Sequence, residues 1–118
     1  MVIQRHETAT RMSQAVVHNG VVYLAGQIAH NAIGGTITEQ TEDVLAAIDK
    51  LLEKCGSDKT KLLSATIWLN TMRDFNEMNA VWDAWLVSGQ APCRACVESP
   101  NLAAPGFNVE IMITAAVS

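Results

Sequence analysis

Two ions stand where strand-like surroundings call for apolar side chains. Arg94 lies within Cys93-Arg94-Ala95-Cys96-Val97, and Glu110 within Val109-Glu110-Ile111-Met112-Ile113. An unpaired ion in a low-dielectric interior costs several kcal/mol, so each of these charges needs a partner. One arrangement is a salt bridge between Arg94 and Glu110 that ties the last two strands together. The other leaves Arg94 free to present its planar fork to a ligand carboxylate, with Glu110 free to orient a water. Composition does not separate the two arrangements.

Other chemistry-bearing residues form no recognisable constellation. Cys93-x-x-Cys96 has the spacing of a redox or zinc pair, but on a strand a separation of three sends the two thiols to opposite faces. The chain has no second C-x-x-C and no H-x₃₋₅-H to complete a ligand set. His6, His18 and His30 are far apart in sequence, and His18 abuts a turn where solvent reaches it. No nucleophile elbow, phosphate-cradling glycine loop or nicotinamide fingerprint is present. No metal and no organic cofactor is therefore expected.

The elements that must position Arg94 and Glu110 follow from local patterns. Ala15-Val16-Val17-His18 and Val21-Val22-Tyr23-Leu24 flank Asn19-Gly20, whose tolerance of positive φ suits a two-residue type I′ turn and predicts a β-hairpin. A short strand over Val2 to His6 precedes it. Gly34-Gly35 breaks the chain, and Thr36-x-x-Glu39 or Thr38 caps a helix predicted over 39–55. Its apolar stripe is Val44, Leu45, Ile48, Leu51, Leu52 and Cys55, with Gly56 at its C-terminal stop. Glu42, Asp43, Asp49, Lys50 and Glu53 read as its solvated face.

Leu62 to Leu69 predicts a strand, and Asp74-x-x-Glu77 a capping box that opens a second helix. That helix is apolar at Phe75, Met78, Trp82, Trp85 and Leu86, and its tryptophans read as core packing rather than a ligand-stacking platform. After Pro92, strands are predicted over Arg94 to Glu98 and Asn108 to Ala115, joined by a loop carrying Pro100, Pro105 and Gly106. Two one-striped helices fit one face of a mixed sheet, an α+β two-layer sandwich in a single domain over residues 1–118. The last strand alternates Val109, Ile111 and Ile113 with Glu110, Met112 and Thr114, so the sheet's second face is semi-apolar as well.

Charge and composition exclude several classes. Twelve acidic against eight basic residues give a formal charge of −4, which offers no basic surface for a phosphate backbone. No apolar run reaches the roughly 20 residues needed to span a bilayer, and the start lacks a secretory layout. Three cysteines without an export signal fit a reducing, cytoplasmic compartment. Only 17% of the residues are charged, too few to cover two apolar sheet faces, and this points to a homo-oligomer.

Four segments, taken in order, carry a resemblance. They are Ser13-Gln14-Ala15-Val16, Ala25-Gly26-Gln27-Ile28, Asp74-Phe75-x-x-Met78-Asn79, and Pro92-x-Arg94-x-Cys96-Val97-Glu98 followed by Val109-Glu110-Ile111. With them the chain resembles, over nearly its whole length, the Rid/YjgF family of reactive-intermediate deaminases and its YoaB-like branch. The resemblance implies a chorismate-mutase-like sandwich, a mixed six-stranded sheet with two helices on one face, assembled as a homotrimer with clefts between subunits. It implies cofactor-independent hydrolysis of 2-imino acids or their enamine tautomers to 2-oxo acids and ammonia. Such intermediates escape from pyridoxal-phosphate dehydratases acting on serine or threonine.

By position, the resemblance makes Arg94 the carboxylate-binding arginine and Glu110 the glutamate that orients the attacking water. Cys96 lines the pocket through its backbone, Asn79 lies near the cleft, and Gln27 belongs to the strand motif beside it. Met12 and Ala25 depart from the pattern, standing where the best-known deaminases carry a tyrosine and a serine. Each lost hydroxyl removes a hydrogen bond worth roughly 0.5–1.5 kcal/mol and makes the pocket more apolar. The alternatives within the same resemblance are a non-catalytic binder of small carboxylates and an endoribonuclease or translation inhibitor.

Overall fold

The computed structural model describes residues 2–117. Its strands are β1 (Gln4–Thr8), β2 (Ser13–His18), β3 (Val21–Leu24), β4 (Gln27–Ile28), β5 (Leu62–Leu69), β6 (Cys93–Glu98) and β7 (Val109–Ala116). The helices are α1 (Ile37–Lys54) and α2 (Phe75–Trp85). The strands form one mixed sheet in the order β1-β2-β3-β7-β5-β6, and β4 pairs beside β7. All pairings are antiparallel except that of β5 with β6. The six strands on the path match the expected number, and two-residue β4 is a seventh that the sequence pattern was too short to reveal.

The hairpin forms as expected: Asn19 and Gly20 have φ of 53° and 76°, and Val17 faces Val22 across the ladder. β1 is displaced two residues downstream of the predicted Val2 to His6. Thr36 closes a full capping box with Glu39, so α1 starts at Ile37, two residues before the predicted boundary. Its apolar stripe (Val44, Leu45, Ile48 and Leu52) packs on Ile67, Ile111 and Ile113 in the core between the helices and the sheet.

The second capping box does not form. Asp74 ends a 3₁₀ turn (Met72–Asp74) with φ −86° and ψ 1°, outside the extended geometry of a capping residue, and its side chain makes no cap bond. Glu77 instead accepts hydrogen bonds from the backbone N–H and hydroxyl of Thr38 on α1, at 3.2 and 2.8 Å. The supposedly solvated face of α1 is also partly engaged. Asp49 accepts from the Trp85 indole N–H at 3.1 Å, and Asp43 accepts from the Asn31 backbone N–H at 3.0 Å.

Candidate active site

Strand register assigns each candidate residue to a face of the sheet. Arg94 pairs with Ala65, which pairs in turn with Ile113, both buried beneath the helices, so Arg94 lies on the helix side of edge strand β6. Cys96 shares that side through Ile67 and Ile111. Glu110 pairs with Trp68, which pairs with Val97, and these occupy the opposite, open face. β5 also separates β6 from β7. Arg94 and Glu110 therefore cannot meet within one chain, and the salt bridge between the last two strands is excluded.

The partners of Arg94 come from α2. Phe75, Asn79 and Trp82 fall at offsets of four and seven, which puts them on one helical stripe facing β6. Asn79 Oδ1 accepts a hydrogen bond from Arg94 Nη1 at 2.7 Å. The guanidinium carbon lies 5.8 Å from the Phe75 ring centroid and 5.7 Å from that of Trp82, within cation–π range. Among the described residues no carboxylate lies within ion-pair distance of Arg94. A guanidinium has five N–H donors. With one engaged by a neutral amide, most of the fork remains open to solvent.

Cys96 sits beside this fork and packs partly against the core. Burial pushes its thiol above the ordinary value, against the opposing pull of Arg94, so the sulfur stays protonated and is a poor nucleophile or metal ligand. Cys93 points to the other face and donates to the Leu63 carbonyl at 3.2 Å. Among the described residues no three His, Cys, Asp or Glu side chains are placed to hold a metal ion.

The Glu110 carboxylate lies against the chain between β3 and β4. A Cβ on Gly26 would overlap its Oε2 and lie 3.0 Å from its carboxyl carbon. Gly26 thus makes a seat for the acid that any larger residue would fill. Burial raises the Glu110 carboxyl above the usual glutamate range. Ala25, next to that seat, uses both backbone groups: its N–H donates to Gln14 at 2.9 Å and its carbonyl accepts from Gln27 Nε2 at 3.0 Å. Met12 is exposed just before β2, where its carbonyl accepts from the Ala9 N–H at 2.8 Å.

Gln27 is buried on the helix side, where Nε2 also donates to Gln14 Oε1 at 2.9 Å. It pairs with Ile111 in the same cross-strand row as Cys96, three strands and about 14 Å away. Gln27 and Gln14 instead line a separate cleft of about 360 Å³ against α1, rimmed by Glu7, Lys50 and Lys54. Sequence reasoning did not find Phe75 and Trp82 as partners of Arg94, nor Gly26 as the seat of Glu110. The available signal was an asparagine inside the apolar stripe of α2, opposite the one arginine of β6.

The helix-backed mixed sheet defines a two-layer α+β domain, and on its edge strand Arg94 stands without an anionic partner among the described residues. Comparisons with known proteins place that domain. Residues 2–117 match the family described as Endoribonuclease L-PSP. The RutC family protein YoaB of Escherichia coli is 44% identical over 117 residues, covering 99% of this chain and 100% of that protein. A RutC family protein of Haemophilus influenzae is 44% identical over 115 residues, covering 98% of each chain. A crystal structure of a YjgF family member from Neisseria meningitidis superposes with a TM-score of 0.95 at 49% identity, covering 100% of this chain and 97% of that one. The chain belongs to this Rid/YjgF/L-PSP family, the one its four motifs resemble.

Proposed function

We propose that this protein hydrolyses reactive 2-imino acids and their enamine tautomers to 2-oxo acids and ammonia, in clefts that a second copy of the chain completes within a homotrimer. The observation that carries the reading is the state of Arg94, held by a neutral amide and two rings and left with most of its donors for a ligand carboxylate. The opposite placement of Glu110 supports the oligomer, because a site using both residues needs Glu110 from a neighbouring subunit. So does the open sheet face, where Tyr23, Val97 and Met112 are 48%, 45% and 40% exposed.

The chemistry asks little beyond this geometry. A 2-imino acid carries an electrophilic carbon beside its carboxylate, and a two-point grip by Arg94 fixes that carbon relative to a water. Glu110 takes a proton from the water as oxygen bonds to the carbon of the protonated imine, giving a neutral carbinolamine. Glu110 passes that proton to nitrogen and accepts the hydroxyl proton as the carbonyl forms and the carbon–nitrogen bond breaks, and ammonia leaves with the 2-oxo acid. Desolvation strengthens Glu110 as a base, since burial raises its affinity for the proton. No cofactor enters these steps, and a reducing cytoplasm suits the three free thiols. Met12 and Ala25 bring no side-chain hydroxyl to the cleft, which favours imino acids with apolar side chains.

The test is release of ammonia and 2-oxo acid from imines generated in place by an amino-acid oxidase, run beside an RNA-cleavage assay. Arg94→Ala is expected to lose activity by on the order of 100-fold or more, the worth of two charged hydrogen bonds. Glu110→Gln is expected to lower turnover about 100-fold while leaving affinity for pyruvate nearly intact. Unchanged imine hydrolysis by Arg94→Ala overturns the site. RNA cleavage without imine hydrolysis overturns the reaction. Pyruvate binding without either activity leaves a carboxylate binder in its place.

A further inference from the structure

We propose that Phe75 and Trp82 are positioning residues, an aromatic seat on α2 that holds the Arg94 fork extended for an incoming carboxylate and makes the site specific for arginine over lysine. The inference rests on the reading of Arg94 as the acid-binding group. Arg94 lies on an exposed edge strand, and a long side chain there samples many rotamers. Three contacts converge on it from one helix stripe, two ring faces and one amide oxygen. The rings cover the guanidinium without consuming an N–H, so they orient it and leave its donors available.

The seat is itself anchored. Trp82 is 3% exposed, and its ring lies 5.4 Å from that of Trp85, whose indole N–H donates to Asp49 on α1. Lys59 Nζ stands 5.7 Å from the Trp85 ring. The orientation of Arg94 is thereby referred through Trp82 and Trp85 to the longer helix. Lysine at position 94 would keep the charge but lose the planar fork and its fit to the rings.

Calorimetric binding of pyruvate, with the KM and kcat of imine hydrolysis and the thermal midpoint measured alongside, tests the seat. Trp82→Leu and Phe75→Leu are each expected to weaken pyruvate binding about tenfold and to raise KM more than they lower kcat, because the carboxylate grip acts in both ground and transition states. Trp82→Phe loses comparable volume and stability but keeps a ring, and it is expected to bind within about twofold of the parent. A mere packing role would make affinity follow the thermal midpoint across the three variants. Arg94→Lys is expected to bind no better than Arg94→Ala. The seat is overturned if both leucine variants, or the half-buried Phe75→Leu alone should Trp82→Leu not fold, bind pyruvate like the parent while Arg94→Ala does not. If Arg94→Ala itself binds normally, the acid-binding reading fails instead.

Discussion

Arg94 is held by a dipole rather than by a charge, and one substitution separates the two conditions. Asn79→Asp keeps the size of the residue but places an anion 2.7 Å from the guanidinium, which then forms an internal ion pair. Pyruvate binding is expected to weaken at least about tenfold with the thermal midpoint held or raised, as calorimetry and thermal melts would show. Gly26→Ala tests the other half of the proposed site, since the added methyl must displace the Glu110 carboxylate. We expect a fall in kcat of on the order of tenfold with a smaller change in pyruvate affinity. The pH behaviour of Glu110 follows from its burial. Its folded-state pKa is raised, so the native protein takes up this proton at a higher pH than the unfolded chain does. The ionised carboxylate therefore costs stability above the folded pKa, and the cost disappears as pH falls below it. Glu110→Gln should melt at or above the parent's midpoint at pH 7, with the difference shrinking toward acid pH, while the parent's activity declines on an acid limb above the ordinary glutamate value of 4.5.

At the level of elements, α1 does more than cover the sheet. Gln40 is fully buried in its first turns, where Nε2 donates to the carbonyls of Gly35 and Gly106 and Oε1 accepts from the Asn108 N–H. One side chain thus ties the helix start to the loop that leads into β7, the strand carrying Glu110. Gln40→Ala leaves the Gly35 carbonyl and the Asn108 N–H short of a partner, while the Gly106 carbonyl keeps the Gly34 N–H, and a loss of about 3 kcal/mol is expected in urea unfolding. Thr36→Ala, which opens the capping box, is expected to cost about 1 kcal/mol by the same measurement. The helices, the hairpin and the long strands were legible because their signals are local: a capping box, an Asn-Gly turn, an alternating run. Gln40 was not, because its partners are 66 and 68 residues away and nothing in its neighbours announces them. Asp74-x-x-Glu77 misled for the complementary reason, since a long-range partner, Thr38, captured the glutamate.

For the whole molecule, the proposed assembly rests on the open face of the sheet. Tyr23, Val97 and Met112 leave an apolar surface that a chain with few charges does not cover. In the proposed trimer this face is buried between copies. Met112→Asp should therefore give monomers in light scattering, keep its circular dichroism, and lose imine hydrolysis together with its quaternary structure. A monomeric variant retaining full activity would show that Arg94 works without a neighbour. The small net charge of −4 also predicts that salt leaves activity on small acids nearly unchanged, apart from screening at Arg94.

By itself the sequence determined the α+β architecture, the alternation of β7, the opposite facing of Cys93 and Cys96, and the pair of ions out of place, because each is written in the spacing of a few adjacent residues. Whether those ions neutralise one another was a matter for tertiary structure alone. Strand order inserts β5 between them, register sends them to opposite faces, and the pitch of α2 brings an amide and two rings to Arg94 instead of a carboxylate. Such outcomes depend on which distant segments become neighbours, and a charge's availability to a ligand is decided by what lies across from it in space.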